Sequence, residues 1–150
     1  MKTILAAIDS SRSSGPVAKV ALELAKATRS RLVLLTVVSP PVVAPDMPLT
    51  LADMTEVTAR IVDAAARHLA KVRRQVSGRG VTVTAVQVEG PPIAQVLSHA
   101  RKLAAAYVVM GSHGHTAVYE LLVGSTTHGV LLRTPCPVVI VPARKKARRG

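Results

Sequence analysis

Aromatic side chains are almost missing from this chain. It has no Trp and no Phe, and Tyr107 and Tyr119 are its only aromatics. A core must then be assembled from Val, Leu, Ile and Ala, which suits a parallel sheet covered by helices. Cysteine is equally scarce. Cys136 is alone, which excludes an intrachain disulfide and a cysteine-based metal cluster. Flanked by Pro135 and Pro137, it reads as a small buried apolar residue. No uncharged apolar run approaches the roughly 18 residues that span a bilayer, so no membrane insertion is expected. The apolar run after Met1-Lys2 stops at Asp9, and Arg12 soon follows, which does not match a secretory signal. The expectation is a soluble, cytoplasmic protein. Acids are also few, 8 against 20 Lys and Arg, for a formal charge of +12. Five of those positive charges stand in residues 144–149, RKKARR. Such a tail can touch nucleic acid or an anionic surface, or merely solubilise the end. Net charge alone does not make a nucleic-acid protein.

What is present reads as one domain of 150 residues, 49% of them apolar, with a basic, disordered tail at 143–150 after a domain at 1–142. Short apolar runs alternate with segments of helical spacing. Ile4 to Ile8 is a buried strand, followed by the polar loop SSRSS and a helix with Pro16 at its first position. Val17, Val20, Ala21, Leu24 and Ala27 supply that helix's inner face. Leu32 to Val38 is the second strand, and Pro40-Pro41 stops it. Thr50 with Asp53 resembles a capping pair. It opens a helix to about Val76, with Met54, Val57, Ile61, Leu69 and Val72 along one side. Val81 to Val88, mixed with Thr and Gln, reads as an edge strand. A helix follows Gly90-Pro91-Pro92, then a strand from Tyr107 to Met110. A last helix from about Ser125 to Arg133, with Val130 and Leu131 inward, precedes the strand Val138 to Val141. Five strands and four main helices in this alternation make an α/β, open doubly wound parallel sheet. An order of 3-2-1-4-5 would bring Asp9 and Gly111 together, and that order rests on analogy with such folds.

The stretch YVVMGSHGHTAVYELLVGST, residues 107–126, carries the chemistry. A strand ends in Gly111, Gly114 lies in a polar loop, and Gly124-Ser125-Thr126 opens a helix. Glycine after a strand permits positive φ or a close ligand approach, and ordinary turn chemistry explains it equally. The small-residue entry into a helix favours an anion, because backbone donors, two hydroxyls and the helix dipole converge there. The GxxxxGK[ST] loop is absent, and so is GxGxxG after the first strand. Asp9 can hydrogen-bond a ribose or adenine group, or serve as a turn acceptor for the SSRSS amides; Ser10 and Ser11 are weaker candidates. His113, His115 and His128 lie close in sequence but have no carboxylate or thiolate beside them, which argues against zinc. Contact with phosphate, or plain exposure, remains open for them. His68 and His99 read as surface or boundary residues of helices. Glu120 is the one acid placed to orient a water, and no nucleophile with a base and an orienter is evident.

The glycine spacing G-x2-G-x9-G-[S/T], with Gly111, Gly114, Gly124 and Ser125, resembles the ATP-binding branch of the universal stress protein family. The phrases ILAAIDSS, VEGPPIAQVL and TPCPVVIVP are similar to that family too, and the resemblance covers residues 2–142. It implies a single-domain 3-2-1-4-5 sheet and a homodimer paired through residues 138–141. It also implies adenosine near Asp9 and the backbone around Val38, with Ser10 and Met110 flanking. Gly111 would approach the ribose and phosphates, Gly114 would clear the phosphate path, and Gly124, Ser125 and Thr126 would hold the phosphates. His113 and His115 fall at loop positions often basic in the family, and neutral imidazoles weaken the phosphate field. The cofactor implied is ATP, with Mg²⁺ or Mn²⁺ bound through its phosphates where a metal accompanies it. Ala105-Ala106-Tyr107 stands where the family usually has an acid before the strand. The role implied is nucleotide-dependent regulation in a stress response. The rivals are a slow metal-dependent ATPase using Glu120 and a partner-binding or nucleic-acid-binding protein using the tail.

Overall fold

Strands and helices alternate strictly along the chain in the computed structural model, which describes residues 1–41, 45–112 and 123–143. The order is β1 (Thr3–Ala7), α1 (Ser14–Ala27), β2 (Arg31–Val38), α2 (Leu51–Val76), β3 (Val83–Glu89), α3 (Pro92–Lys102), β4 (Tyr107–Gly111), α4 (Ser125–Arg133) and β5 (Val138–Val141). All four strand pairings are parallel, and the sheet runs β3-β2-β1-β4-β5. The expected doubly wound topology is therefore the observed one. Leu5 pairs with Val33 on one side and Val108 on the other, which puts β1 at the centre.

Alternation of side chains along each strand divides the core into two layers. Ile4, Ala6, Leu32 and Leu34 face α1 and α2, against Val17, Ala21, Leu69 and Val72. Leu5, Val33, Leu35 and Val108 face α3 and α4, against Val96, Leu97 and Val130. Ile4, Leu5, Leu32, Leu34 and Val108 have no solvent exposure. Aliphatic residues thus carry the interior, as the lack of aromatics requires. β3 is an edge strand, in line with its mixed composition.

Helix faces depart from the sequence reading at defined places. α1 begins at Ser14, so Pro16 sits third in the helix rather than first. Its missing N–H is still one of the donors that has no intrahelical partner. Val20 and Ala27 are exposed, and Ala18, Leu22 and Ala25 take the inner positions instead. In α4, Val130 is buried but Leu131 is exposed. The largest departure is in α2, where Val57 and Ile61 are exposed and burial starts at Ala65. Length explains it. The 26 residues of α2 rise about 39 Å, whereas the eight of β2 extend about 26 Å. The first half of α2 overhangs the sheet edge at which the strands end.

Helix ends follow local chemistry. The expected Thr50–Asp53 pair forms a full capping box: the Asp53 N–H donates to Thr50 Oγ1 at 3.1 Å and the Thr50 N–H donates to Asp53 Oδ2 at 3.1 Å. The Thr50 hydroxyl, which donates to Asp53 Oδ2 at 2.7 Å, and after it the Thr50 N–H hold the Asp53 carboxyl below its usual range. At the other end of α1 and of α3 the chain closes in a paired backbone turn. Ser30 N–H donates to the Ala25 carbonyl at 2.8 Å, and Ala105 N–H donates to the Ala100 carbonyl at 2.9 Å. Both turns need a left-handed residue, and neither has glycine: Arg29 sits at φ 51° and Ala104 at φ 46°. α3 and α4 approach closely at Gly129, where an added Cβ would fall 2.3 Å from Ile93 Cδ1.

Candidate functional site

The reversal of strand order places the carboxyl ends of β1 and β4 side by side, with the starts of α1 and α4 above them. A cleft of about 270 Å³ lies there, near the lower end of the roughly 300–1,000 Å³ usual for small-molecule sites. Its walls have two characters. Ala7, Ile8, Leu35, Val37, Val96 and Met110 are apolar, while Asp9, Ser13, Ser14, Ser125, Thr126 and Thr127 bring oxygen and backbone donors. Val17, Pro92, Gly111 and Gly124 complete it. An apolar part beside a polar part suits a ligand with a flat organic group and an anionic one.

Two helices open onto this cleft without a side-chain cap. Ser13 precedes α1 and Gly124 precedes α4; the Ser13 hydroxyl accepts no hydrogen bond from its helix, Gly124 has no side chain to do so, and neither first turn holds an acid. The Ser13 and Ser14 N–H groups donate to Ser11, at 3.2 Å to its hydroxyl and 3.3 Å to its carbonyl, and Pro16 has none, so α1 leaves the Gly15 N–H and α4 its first turn, with the positive ends of two dipoles, for an outside acceptor. Gly124 has φ −57°, so left-handed backbone is not the reason for glycine there.

Asp9 is held by its own loop. Its Oδ1 accepts from the Ser11 N–H at 2.9 Å and from the Ser11 hydroxyl. Among the described residues Oδ2 accepts no hydrogen bond, so half of the carboxylate is available to the cleft. A carboxylate repels phosphate, which assigns Asp9 to the hydroxyl- or amine-bearing end of a ligand. The buried Ser14 hydroxyl lies 2.6 Å from the Asp9 carbonyl and 2.7 Å from the Ser11 carbonyl. His68 of α2 reaches the same hydroxyl, with Nε2 2.9 Å away. On the other side Thr127 Oγ1 donates to the Gly111 carbonyl at 2.9 Å, tying the start of α4 to the end of β4. The Gly124 N–H donates to the Ser112 carbonyl at 2.7 Å, which brings together the two ends of the intervening segment.

Of the residues singled out in the sequence, Asp9, Met110, Gly111, Gly124, Ser125 and Thr126 line the cleft. Ser10 is exposed beside it and does not line it. Val38 is buried and its carbonyl accepts from the Gly90 N–H at 3.0 Å. Strand alternation turns Leu35 and Val37 to the cleft and Val38 to the opposite face. His113, Gly114, His115 and Glu120 lie outside the described residues, as does the tail from residue 144. His128 is exposed on α4. Ser13, Ser14, Thr127 and Pro92 line the cleft without having been anticipated. The hydroxyl run SSRSS was a signal for the first two, although only loop geometry tells which serine turns inward. Among the described residues no helix is long and apolar enough to cross a membrane.

Comparison with known proteins agrees with this architecture. The family model described as the universal stress protein family matches residues 1–142. Universal stress protein Sll1654 of Synechocystis is 30% identical over 141 residues, covering 94% of this chain and 85% of that protein. Among solved structures, MJ0577 of Methanocaldococcus jannaschii superimposes with a TM-score of 0.80 at 22% identity, over 97% of this chain and 98% of that one. A universal stress protein solved in complex with cAMP gives 0.69 at 22% identity, over 93% of this chain and 96% of that one.

Proposed function

The chain belongs to the universal stress protein family, and on that premise we propose that its cleft binds an adenine nucleotide, ATP foremost, to regulate a partner during stress. The observation that carries this is the convergence of the uncapped start of α4, Gly124–Thr126, and the start of α1 with Asp9 at one sheet edge. The helix starts and the hydroxyls of Ser125 and Thr126 take the phosphates. Asp9 Oδ2 takes the ribose or the adenine amine, and the apolar wall of Ile8, Leu35, Val37 and Met110 takes the base. The cAMP complex of a structural relative supports an adenine ligand for this fold. Among the described residues Asp9 is the one carboxylate lining the cleft. A Mg²⁺ or Mn²⁺ ion would thus be held chiefly through the phosphates, where it would neutralise charge.

The described lining suits binding and regulation, with donors for an anion beside an apolar wall for a base. The described residues supply donors and one carboxylate but no nucleophile with a base and an orienter. The protein works in the cytoplasm as a homodimer. β5 pairs only with β4 among the described residues, and antiparallel pairing of Val138–Val141 with a second copy would cover an apolar edge. The tail at residues 144–149 adds a weak contact to nucleic acid or an anionic surface, on the strength of its charge.

Calorimetric titration of ligand-stripped protein with ATP and Mg²⁺ tests the reading. Micromolar binding is expected, and Asp9→Ala and Gly124→Ala should each weaken it about tenfold or more. Alanine can adopt φ −57° without strain, so loss in Gly124→Ala reports a blocked ligand rather than a damaged turn. Folded wild-type protein that takes up no ATP, ADP or AMP would sink the proposal.

A further inference from the structure

We infer that His68, a residue outside the cleft, is a positioning residue that sets the loop carrying Asp9 through a hydrogen bond donated to Ser14. The inference rests on the nucleotide reading above for its effect on binding, and on geometry alone for the bond itself. His68 lies in α2, half-buried, and the sequence marks it only as one of two helical histidines. In the fold its Nε2 stands 2.9 Å from Ser14 Oγ. Ser14 is 2% exposed and lines the cleft as the first residue of α1.

The direction of that bond follows from counting protons. Ser14 Oγ has three close neighbours, the Asp9 carbonyl at 2.6 Å, the Ser11 carbonyl at 2.7 Å and His68 Nε2 at 2.9 Å. A hydroxyl carries one proton, and a carbonyl only accepts. The Ser14 proton goes to the carbonyls, so His68 must donate from Nε2. Neutral His68 is then the Nε2–H tautomer, and an imidazolium would donate in the same way.

This makes one connected unit of elements from different parts of the chain. His68 holds Ser14, Ser14 holds the Asp9 and Ser11 backbone, and Ser11 holds the Asp9 carboxylate through its N–H and hydroxyl. Ser13, the start of α1, gives no side-chain cap of its own. The loop therefore depends on this inward hydroxyl and on the histidine above it. Without the donor, nothing from α2 holds the Ser14 hydroxyl against the two carbonyls, and the Asp9 carboxylate loses its setting.

The test uses full-length protein, ATP with Mg²⁺ as the titrant, and four variants: His68→Leu, His68→Gln, Ser14→Ala and the Leu/Ala double. His68→Leu should weaken ATP binding roughly five- to tenfold, the effect of one lost buried hydrogen bond. His68→Gln, which keeps an N–H donor, should recover affinity to within about twofold to threefold. The double variant should bind no more weakly than the weaker single one, because both remove the same link. Amide exchange across residues 10–14 provides a readout free of nucleotide, and it should speed up in His68→Leu and recover in His68→Gln. Wild-type affinity and exchange in folded His68→Leu would overturn the inference, and so would losses that add in the double variant. If wild type binds no nucleotide, the reading of the cleft falls. Exchange at residues 10–14 then decides the His68 link alone, unchanged rates refuting it.

Discussion

Replacing Gly129 with alanine pits two effects of known sign against each other. Alanine favours an interior helix position over glycine by about 1 kcal/mol, so a helix considered alone would gain. In the fold, however, the new Cβ would stand 2.3 Å from Ile93 Cδ1, 3.0 Å from Cγ1 and 3.3 Å from Cγ2. The Cδ1 overlap is relieved by turning the end of the side chain. Turning about Cα–Cβ cycles Cγ1, Cγ2 and the β hydrogen through the same three positions, so one γ carbon always stays in close contact and α3 itself must yield by a few tenths of an ångström. Overpacking of this kind costs about 1–3 kcal/mol. The expected balance is a loss of about 1 kcal/mol, or a fall of roughly 2–4 °C in Tm for a chain of this size. Thermal and urea unfolding would read it. Ile93→Ala removes Cγ1, Cγ2 and Cδ1 together, and in the Gly129→Ala background it should cost at least about 1 kcal/mol less than in wild type. Because Pro92, next to Ile93, lines the cleft, ligand affinity should fall with stability. A Gly129→Ala protein that gains about 1 kcal/mol would refute the argument, since it would mean that helix propensity alone decides.

Two further outcomes follow from local geometry. Arg29→Gly and Ala104→Gly each remove a left-handed side-chain-bearing residue at φ 51° and φ 46°. Each should stabilise the fold by about 1 kcal/mol, seen as a rise in Tm; no change at either site would mean that the turn is not strained. Asp53 has its carboxyl held low by Thr50. A lowered folded-state value means its contribution is full above the ordinary carboxylate range of about 4 and is lost as pH falls through the folded value. The stability difference between wild type and Asp53→Ala should therefore shrink on acidification from neutral pH, and a difference that grows would reverse the sign argued here.

Much of the fold could be read before any coordinates. Strand runs such as Val138–Val141 and the Thr50–Asp53 cap stand where composition and turn chemistry place them, because those signals are local. The 3-2-1-4-5 order is not local, and it was reached through likeness to other sheets. Helix faces were misread where tertiary context outweighs periodicity. Val57 and Ile61 have the spacing of an inner face, but the sheet ends before it reaches them. Val20 lost its inner place to Ala18 and Leu22, which a helical pattern rich in alanine cannot rank. In the cleft, the glycine spacing pointed to Gly111, Gly124 and the hydroxyls after it. Ser14 and Thr127 were invisible because their part depends on which way a loop or a first turn is rotated. Val38 and Val37 differ only by strand parity, and one residue of register decides which of them faces the ligand edge.

The pairing of β1 with β4 has a consequence for how the protein comes into being. Ile4 lies opposite Tyr107, so the cleft joins two strands about a hundred residues apart along the chain. Contacts so distant along the chain form late and slowly, since loop closure must precede them. No fragment that stops short of α4 possesses the cleft, and a ligand can act only on the finished sheet. Anything bound there adds stability by mass action, about 2.7 kcal/mol when it is a hundredfold above its Kd. A nucleotide bound there would translate its abundance into the stability of the folded molecule, a way of sensing that needs no moving part.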